Sequence, residues 1–184
     1  MLEFIENIDT KISLFINNLH CELLDFLMFH ITHLYCTCVV YVAIIFAFVV
    51  IKKKQCWQDI LFVALAVIAV SIITAVFIKP NVARVRPCNT AELQSMLHIV
   101  KNYTADSFSF VSSHAATSFA IAIFVHARLR KNYISILVFL WAFVYSYSRV
   151  YLGVHFFGDV LSGAILGMLF GKIFILLRSV KIYR

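Results

Sequence analysis

Ile60–Ile78 reads ILFVALAVIAVSIITAVFI, without a charge until Lys79-Pro80 closes it. A helix rises about 1.5 Å per residue, so this run can cross the ~30 Å hydrocarbon core of a bilayer. A helix apolar all round belongs in lipid or deep in a large core. The pattern recurs on both sides. Leu34–Ile51 is uncharged up to Lys52, Lys53 and Lys54, and a third run extends from Ser113 to Ala127 before Arg128, Arg130 and Lys131. Tyr133–Tyr147 extends to Ser148 as a fourth. Val160–Leu177 is the fifth, with Lys172 snorkelling from its last turns and Arg178, Lys181 and Arg184 beyond it. The expected fold is all-α: a polytopic transmembrane helix bundle of five spans plus an N-terminal amphipathic or partly inserted helix.

Composition supports one integral membrane domain over residues 1–184. The chain is 62% hydrophobic and 14% charged, whereas soluble domains carry roughly a quarter charged residues. A soluble globule, a disordered chain and a disulfide miniprotein are excluded. The five cysteines (Cys21, Cys36, Cys38, Cys56 and Cys88) are an odd set read as packing thiols. No His or Cys set has metal-binding spacing, so neither a metal nor a cofactor is expected. No nucleic acid partner is expected either.

Charge sets the expected orientation. The three basic groups supply nine of the sixteen Lys and Arg residues, and alternating spans place them on one side, which the positive-inside rule makes cytoplasmic. Lys79, Arg84, Arg86, Lys101 and Arg149 fall on the other side, against the bias, where an anionic ligand would account for them. At the N-terminus, Leu2, Ile5, Ile8, Ile12, Phe15 and Leu19 repeat at helical steps, while Glu3, Glu6, Asp9 and Lys11 make a full span costly. Residues 1–20 read as an interfacial helix, with a broken first span as the alternative, and Leu23–Phe29 as a half-helix. In the outer loop, residues 80–112, Asn89 and Glu92 have capping-box spacing for a short helix presenting Leu93, Met96 and Val100.

Polar residues collect at the outer ends of the runs: Lys79 and Arg86, then Ser112, Ser113 and His114, then Ser148 and Arg149, then His155 and Asp159. Together they offer three cations, two imidazoles and a carboxylate to one pocket. Such cations suit a tetrahedral oxyanion, and a helix start at Ser113 adds unpaired N–H groups. Two histidines with one acid permit a nucleophile and a separate general acid; residue chemistry alone leaves open which histidine attacks. His155 and Asp159, four apart, would share a helical face. Gly163, Gly167 and Gly171 continue it at four-residue steps as a packing stripe. Arg84 reads either as a phosphate ligand or as an interfacial base. His20, His30, His33, His98 and His126 have no charged partner at useful spacing.

These residues resemble the three signatures of the type 2 phosphatidic acid phosphatase superfamily. Lys79 to Arg86-Pro87 fits the first, Phe110-Val-Ser-Ser-His114 resembles the second, and Ser148-Arg149 through His155 to Asp159 fits the third. The resemblance covers roughly residues 55–180 and implies a six-helix, metal-independent phosphatase of lipid phosphates or pyrophosphates. It implies His155 as the nucleophile forming a phosphohistidine, Asp159 as its orienting acid and His114 as the general acid. Lys79, Arg86, Ser112, Ser113 and Arg149 would bind the phosphate. Val111 and Ser113 depart from the usual Pro and Gly; a serine can still offer its N–H unless the backbone there is one only glycine adopts. The implied setting is a bacterial inner membrane with the site facing the periplasm. The implied substrate is a membrane lipid phosphate: undecaprenyl pyrophosphate, phosphatidylglycerol phosphate, phosphatidate or lipid A. An anion carrier or channel, and an inactive membrane scaffold, are the alternatives.

Overall fold

The computed structural model describes residues 2–180 and is all-helical, without a strand among the described residues. Lys181 and Arg184, part of the third basic group, lie outside the described residues. Helices α1 (Leu2–Asn18) and α2 (Glu22–Ile31) meet at 112°. Helix α3 (Leu34–Lys52) turns at Lys53, whose φ is 48°, into α4 (Cys56–Ile72). That helix continues as a π-helical turn, Ile73–Ile78, and then α5 (Lys79–Val82). Ala83 takes a left-handed conformation and releases the chain into the long loop before α7. After the single turn α6 (Ala91–Gln94) come α7 (Ser113–Leu129), α8 (Asn132–Tyr151) and α9 (Phe157–Ser179).

Each expected apolar run is helical. Three stretches are long and apolar enough to cross a membrane (Leu34–Gln94, Asn132–Tyr151 and Phe157–Ser179), or four if α1 and α2 form one bent span. Two expected runs, α3 and α4, fall within the first stretch, and α7 has only 17 residues. Length and apolarity therefore establish three to four spans. Helix α7 also has little lipid-facing bulk, for a physical reason. It is the central helix, with Ala115, Ala116, Ser118, Ala120, Ala122, Phe124 and Val125 buried, and a protein-packed helix needs no lipid-facing bulk. By contrast Ile136, Leu137, Leu140 and Phe143 of α8 are exposed, as on a lipid-facing surface.

The glycine stripe acts where expected. A Cβ on Gly163 would lie 2.5 Å from the Ser112 carbonyl, and one on Gly167 would overlap Ala116 backbone. Helix α9 thus packs directly on the backbone of α7.

Helix α1 is amphipathic: Ile5, Ile8, Ile12, Phe15 and Leu19 are exposed, whereas Ser13 and Asn17 are buried. Its polar face packs on the protein, where it feeds backbone groups their partners. Asn17 Nδ2 donates to the carbonyls of Tyr151 (2.7 Å) and His98 (2.9 Å), and Ser13 Oγ and Asp9 Oδ1 accept from the Phe157 and Gly158 N–H groups that open α9. One expectation is corrected: Asn89 is not a helix cap. Thr90 occupies that position without a side-chain bond, and Asn89 Nδ2 donates to the Ala105 carbonyl. The helix ends at Gln94, so it does not carry Leu93, Met96 and Val100 on one face; Val100 is buried in a later turn.

Candidate active site

The last residues of α8 and the turn after it build the deepest part of the site. Gly153 reverses the chain with a φ of 69°, and the N–H groups of Val154 and His155 both donate to the Arg149 carbonyl at 3.2 Å. This turn drives the His155 ring inward, where it is 1% exposed. His155 therefore precedes α9, and its meeting with Asp159 is not the shared helical face expected. Asp159 sits in the first turn of α9, where its Oδ2 accepts from Phe156 N–H at 2.9 Å and faces His155 Nδ1 at 3.4 Å.

The other ring nitrogen fixes the tautomer. Arg86 Nη1 lies 3.0 Å from His155 Nε2, and a guanidinium can only donate. Nε2 is thus the unprotonated acceptor, its lone pair turned to Arg86, and the proton belongs on Nδ1, towards Asp159. Burial, then the neighbouring Arg86, Arg149 and Lys79, hold the His155 imidazole well below its ordinary pKa. The ring is neutral at neutral pH.

The expected cations converge, each held by backbone oxygens. Lys79 Nζ donates to the Phe108 carbonyl at 2.9 Å, and Arg86 donates to the Val154 carbonyl at 2.6 Å and to both Ser107 oxygens. Arg149 Nη1 donates to Tyr103 Oη at 2.7 Å and to Thr32 Oγ1. Its Nε is buried with no partner among the described residues. Buried polar groups are nearly always paired, and this donor is left over in the site.

Ser112 caps α7, its Oγ accepting from Ala115 N–H at 3.4 Å, while its own N–H donates to the Asp159 carbonyl at 3.0 Å. Ser113 Oγ bonds Thr74 Oγ1 at 2.9 Å. Ser113 lies in α7 and is not among the positive-φ residues, so serine is not strained where the family pattern has glycine. His114 packs against Tyr145, ring centroids 5.3 Å apart. A cleft of about 450 Å³ opens to Lys79, Arg86, Asp106, Phe108, Ser113 and His114, with Ala75 of the π-helical turn in its wall. Ser112, Arg149, His155 and Asp159 are buried outside that lining.

Several polar groups had no signal in local spacing. Arg84 is neither a free interfacial base nor available as a phosphate fork: Nη1 bonds Asp159 Oδ1 at 2.6 Å and Nη2 bonds Asp9 Oδ2 at 2.8 Å. His98 does have a charged partner, Asp25 Oδ2 at 2.9 Å, and His20 stacks on its ring. Thr32 and Tyr103 position Arg149. All these pairs join residues distant in sequence.

Residues 59–183 match the family model described as the PAP2 superfamily. The chain is 37% identical over 180 residues to a lipid A 4'-phosphatase of Bacteroides thetaiotaomicron, covering 95% of this chain and 78% of that protein. A lipid A 4'-phosphatase of Porphyromonas gingivalis is 26% identical over 185 residues, with 97% and 78% covered. Among solved structures, Aquifex aeolicus LpxE superposes with a TM-score of 0.72 at 28% identity, covering 91% of this chain and 94% of that one. The Bacillus subtilis transmembrane PAP2 type phosphatidylglycerolphosphate phosphatase gives 0.72 at 26% identity, with 98% and 89% covered.

Proposed function

We propose, since this chain belongs to the PAP2 superfamily and is a membrane lipid phosphatase, that it removes a phosphate from lipid A through a phosphohistidine at His155. The observation carrying the mechanism is the pair of contacts on one ring, Arg86 on Nε2 and Asp159 facing Nδ1. His155 Nε2 attacks phosphorus, the N–P bond forms and the ester P–O bond breaks. His114 gives its proton to the departing sugar oxygen, then takes one from the water that attacks phosphorus and breaks the N–P bond. Asp159 balances the imidazolium charge that appears on attack. Lys79, Arg86, Arg149, the Ser112 hydroxyl and the Ser113 N–H that opens α7 stabilise charge on the phosphoryl oxygens. The resemblance to lipid A phosphatases over nearly the whole chain supports the substrate assignment.

The whole chain works as one domain in this reading. Helices α3, α4, α7, α8 and α9 each cross a bacterial inner membrane, α1 and α2 complete the bundle, and the site faces the periplasm. The basic groups after α3, α7 and α9 support that orientation. Membership of the superfamily displaces the carrier and scaffold alternatives. The test measures phosphate release from lipid A, phosphatidylglycerol phosphate, phosphatidate and undecaprenyl pyrophosphate in detergent micelles with a chelator present, comparing wild type with His155→Ala. The fastest release should be from lipid A and should vanish in the variant. Equal release by both proteins would overturn the mechanism, and faster release from another lipid would overturn the substrate.

A further inference from the structure

We propose that Arg84 and Asp9 are positioning residues for the Asp159–His155 pair, which makes helix α1 a working part of the site although it lies outside the family match at 59–183. The inference rests on the reading of His155 and Asp159 as the catalytic pair.

Asp159 is wholly buried, and a buried carboxylate stays ionised only beside a cation or strong donors. Its two oxygens divide the work. Oδ2 takes Phe156 N–H and faces His155, while Oδ1 takes Arg84 at 2.6 Å. Arg84 is the only cation on Asp159 among the described residues. Its guanidinium spans two carboxylates, since Nη2 bonds Asp9 at 2.8 Å, and it lies 3.9 Å from the centre of the Phe156 ring. A fork is the geometry a lysine cannot copy.

Asp9 closes the circuit on α9 itself, accepting from Gly158 N–H at 2.7 Å. The approach is so close that a Cβ on Gly158 would lie 2.8 Å from Asp9 Oδ2. Asp9 thus holds both the arginine that sets one oxygen of Asp159 and the backbone next to Asp159. With both terminal nitrogens of Arg84 engaged by carboxylates, its fork is not free to grip phosphate. It acts through Asp159, and its removal should slow turnover rather than weaken binding.

The test is steady-state lipid A dephosphorylation in micelles by Arg84→Gln, Arg84→Lys, Asp9→Asn, Asp9→Glu and Arg84→Gln/Asp9→Asn, with Glu6→Gln on the exposed face of α1 as control. Inhibition by inorganic phosphate and thermal midpoints are read alongside. Arg84→Gln and Asp9→Asn should each lower kcat by about tenfold or more, with KM and phosphate inhibition unchanged. The double variant should match Arg84→Gln alone, because both changes break one circuit. Arg84→Lys and Asp9→Glu should recover part of kcat, and Glu6→Gln should retain it all. Weakened phosphate inhibition at unchanged kcat would overturn the proposal by making Arg84 a ligand. So would additive losses, or wild-type kcat in both single variants. If an amide variant loses its thermal transition, the charge-keeping variants decide: unchanged kcat in Arg84→Lys with its fork lost overturns the proposal. Activity surviving in His155→Ala would instead sink the underlying catalytic reading.

Discussion

His155 has different neighbours on its two nitrogens, and the proposed chemistry follows from that asymmetry. Burial and the surrounding cations keep the ring neutral, so Nε2 keeps a lone pair that can attack once the phosphate takes over the Arg86 contact. A depressed pKa means that protonation removes the nucleophile only at a pH well below the ordinary histidine range. The acid limb of kcat/KM should therefore lie low. In Arg86→Gln one of the depressing charges is gone, so the limb should move up towards neutral pH while kcat/KM itself falls. A limb that moves down, or stays in place, would contradict the assignment of that limb to His155. At this scale much was legible in the sequence, because Lys79, Arg86, His114, Arg149, His155 and Asp159 keep short, ordered spacings. Arg84, Asp9, Thr32 and Tyr103 were not legible as a set. Their partners come from other elements, and spacing along the chain carries no trace of such pairs.

Among the elements, α7 and α9 carry the site between them, and their contact is backbone on backbone. Gly167→Ala should destabilise the protein by about 1–3 kcal/mol, since the added methyl meets the Ala116 backbone rather than a side chain that can move aside. A lowered thermal midpoint in detergent checks it; an unchanged one would mean the helices separate freely. At the far end, Asp59 of α4 is fully buried and accepts from Arg128 of α7 and Arg178 of α9, both at 3.0 Å. These arginines belong to groups read from sequence as topology signals, and they also tie three helices together. Asp59→Ala should cost about 3 kcal/mol by stranding two paired cations, and Arg128→Gln should cost less because Arg178 remains. Equal midpoints for wild type and Asp59→Ala would remove the clamp. The helical runs were readable because apolar length is a strong signal. The sense of α1 was not: periodicity finds an apolar face and a polar face but not which one meets protein. Asn17 and Ser13 decide that through backbone groups far away in the chain.

The molecule as a whole separates its charge into two ends. One continuous helical stretch carries Asp59 near its start and Lys79 near its end, which at helical rise is about 30 Å, the thickness of a bilayer core. Arg128 and Arg178 at one end hold the Asp59 clamp. Cations at the other surround His155. The bundle was expected from composition, whereas the count of spans is blurred because α3 and α4 run together in one stretch and α7 is only 17 residues long. The central claim is covalent catalysis by His155, and trapping the intermediate tests it most directly. Wild-type protein mixed with radiolabelled lipid A and quenched during turnover should carry label that is acid-labile and alkali-stable, on the peptide containing His155. Label on another residue, or phosphate release with no trapped label under conditions where breakdown is rate-limiting, would contradict the account.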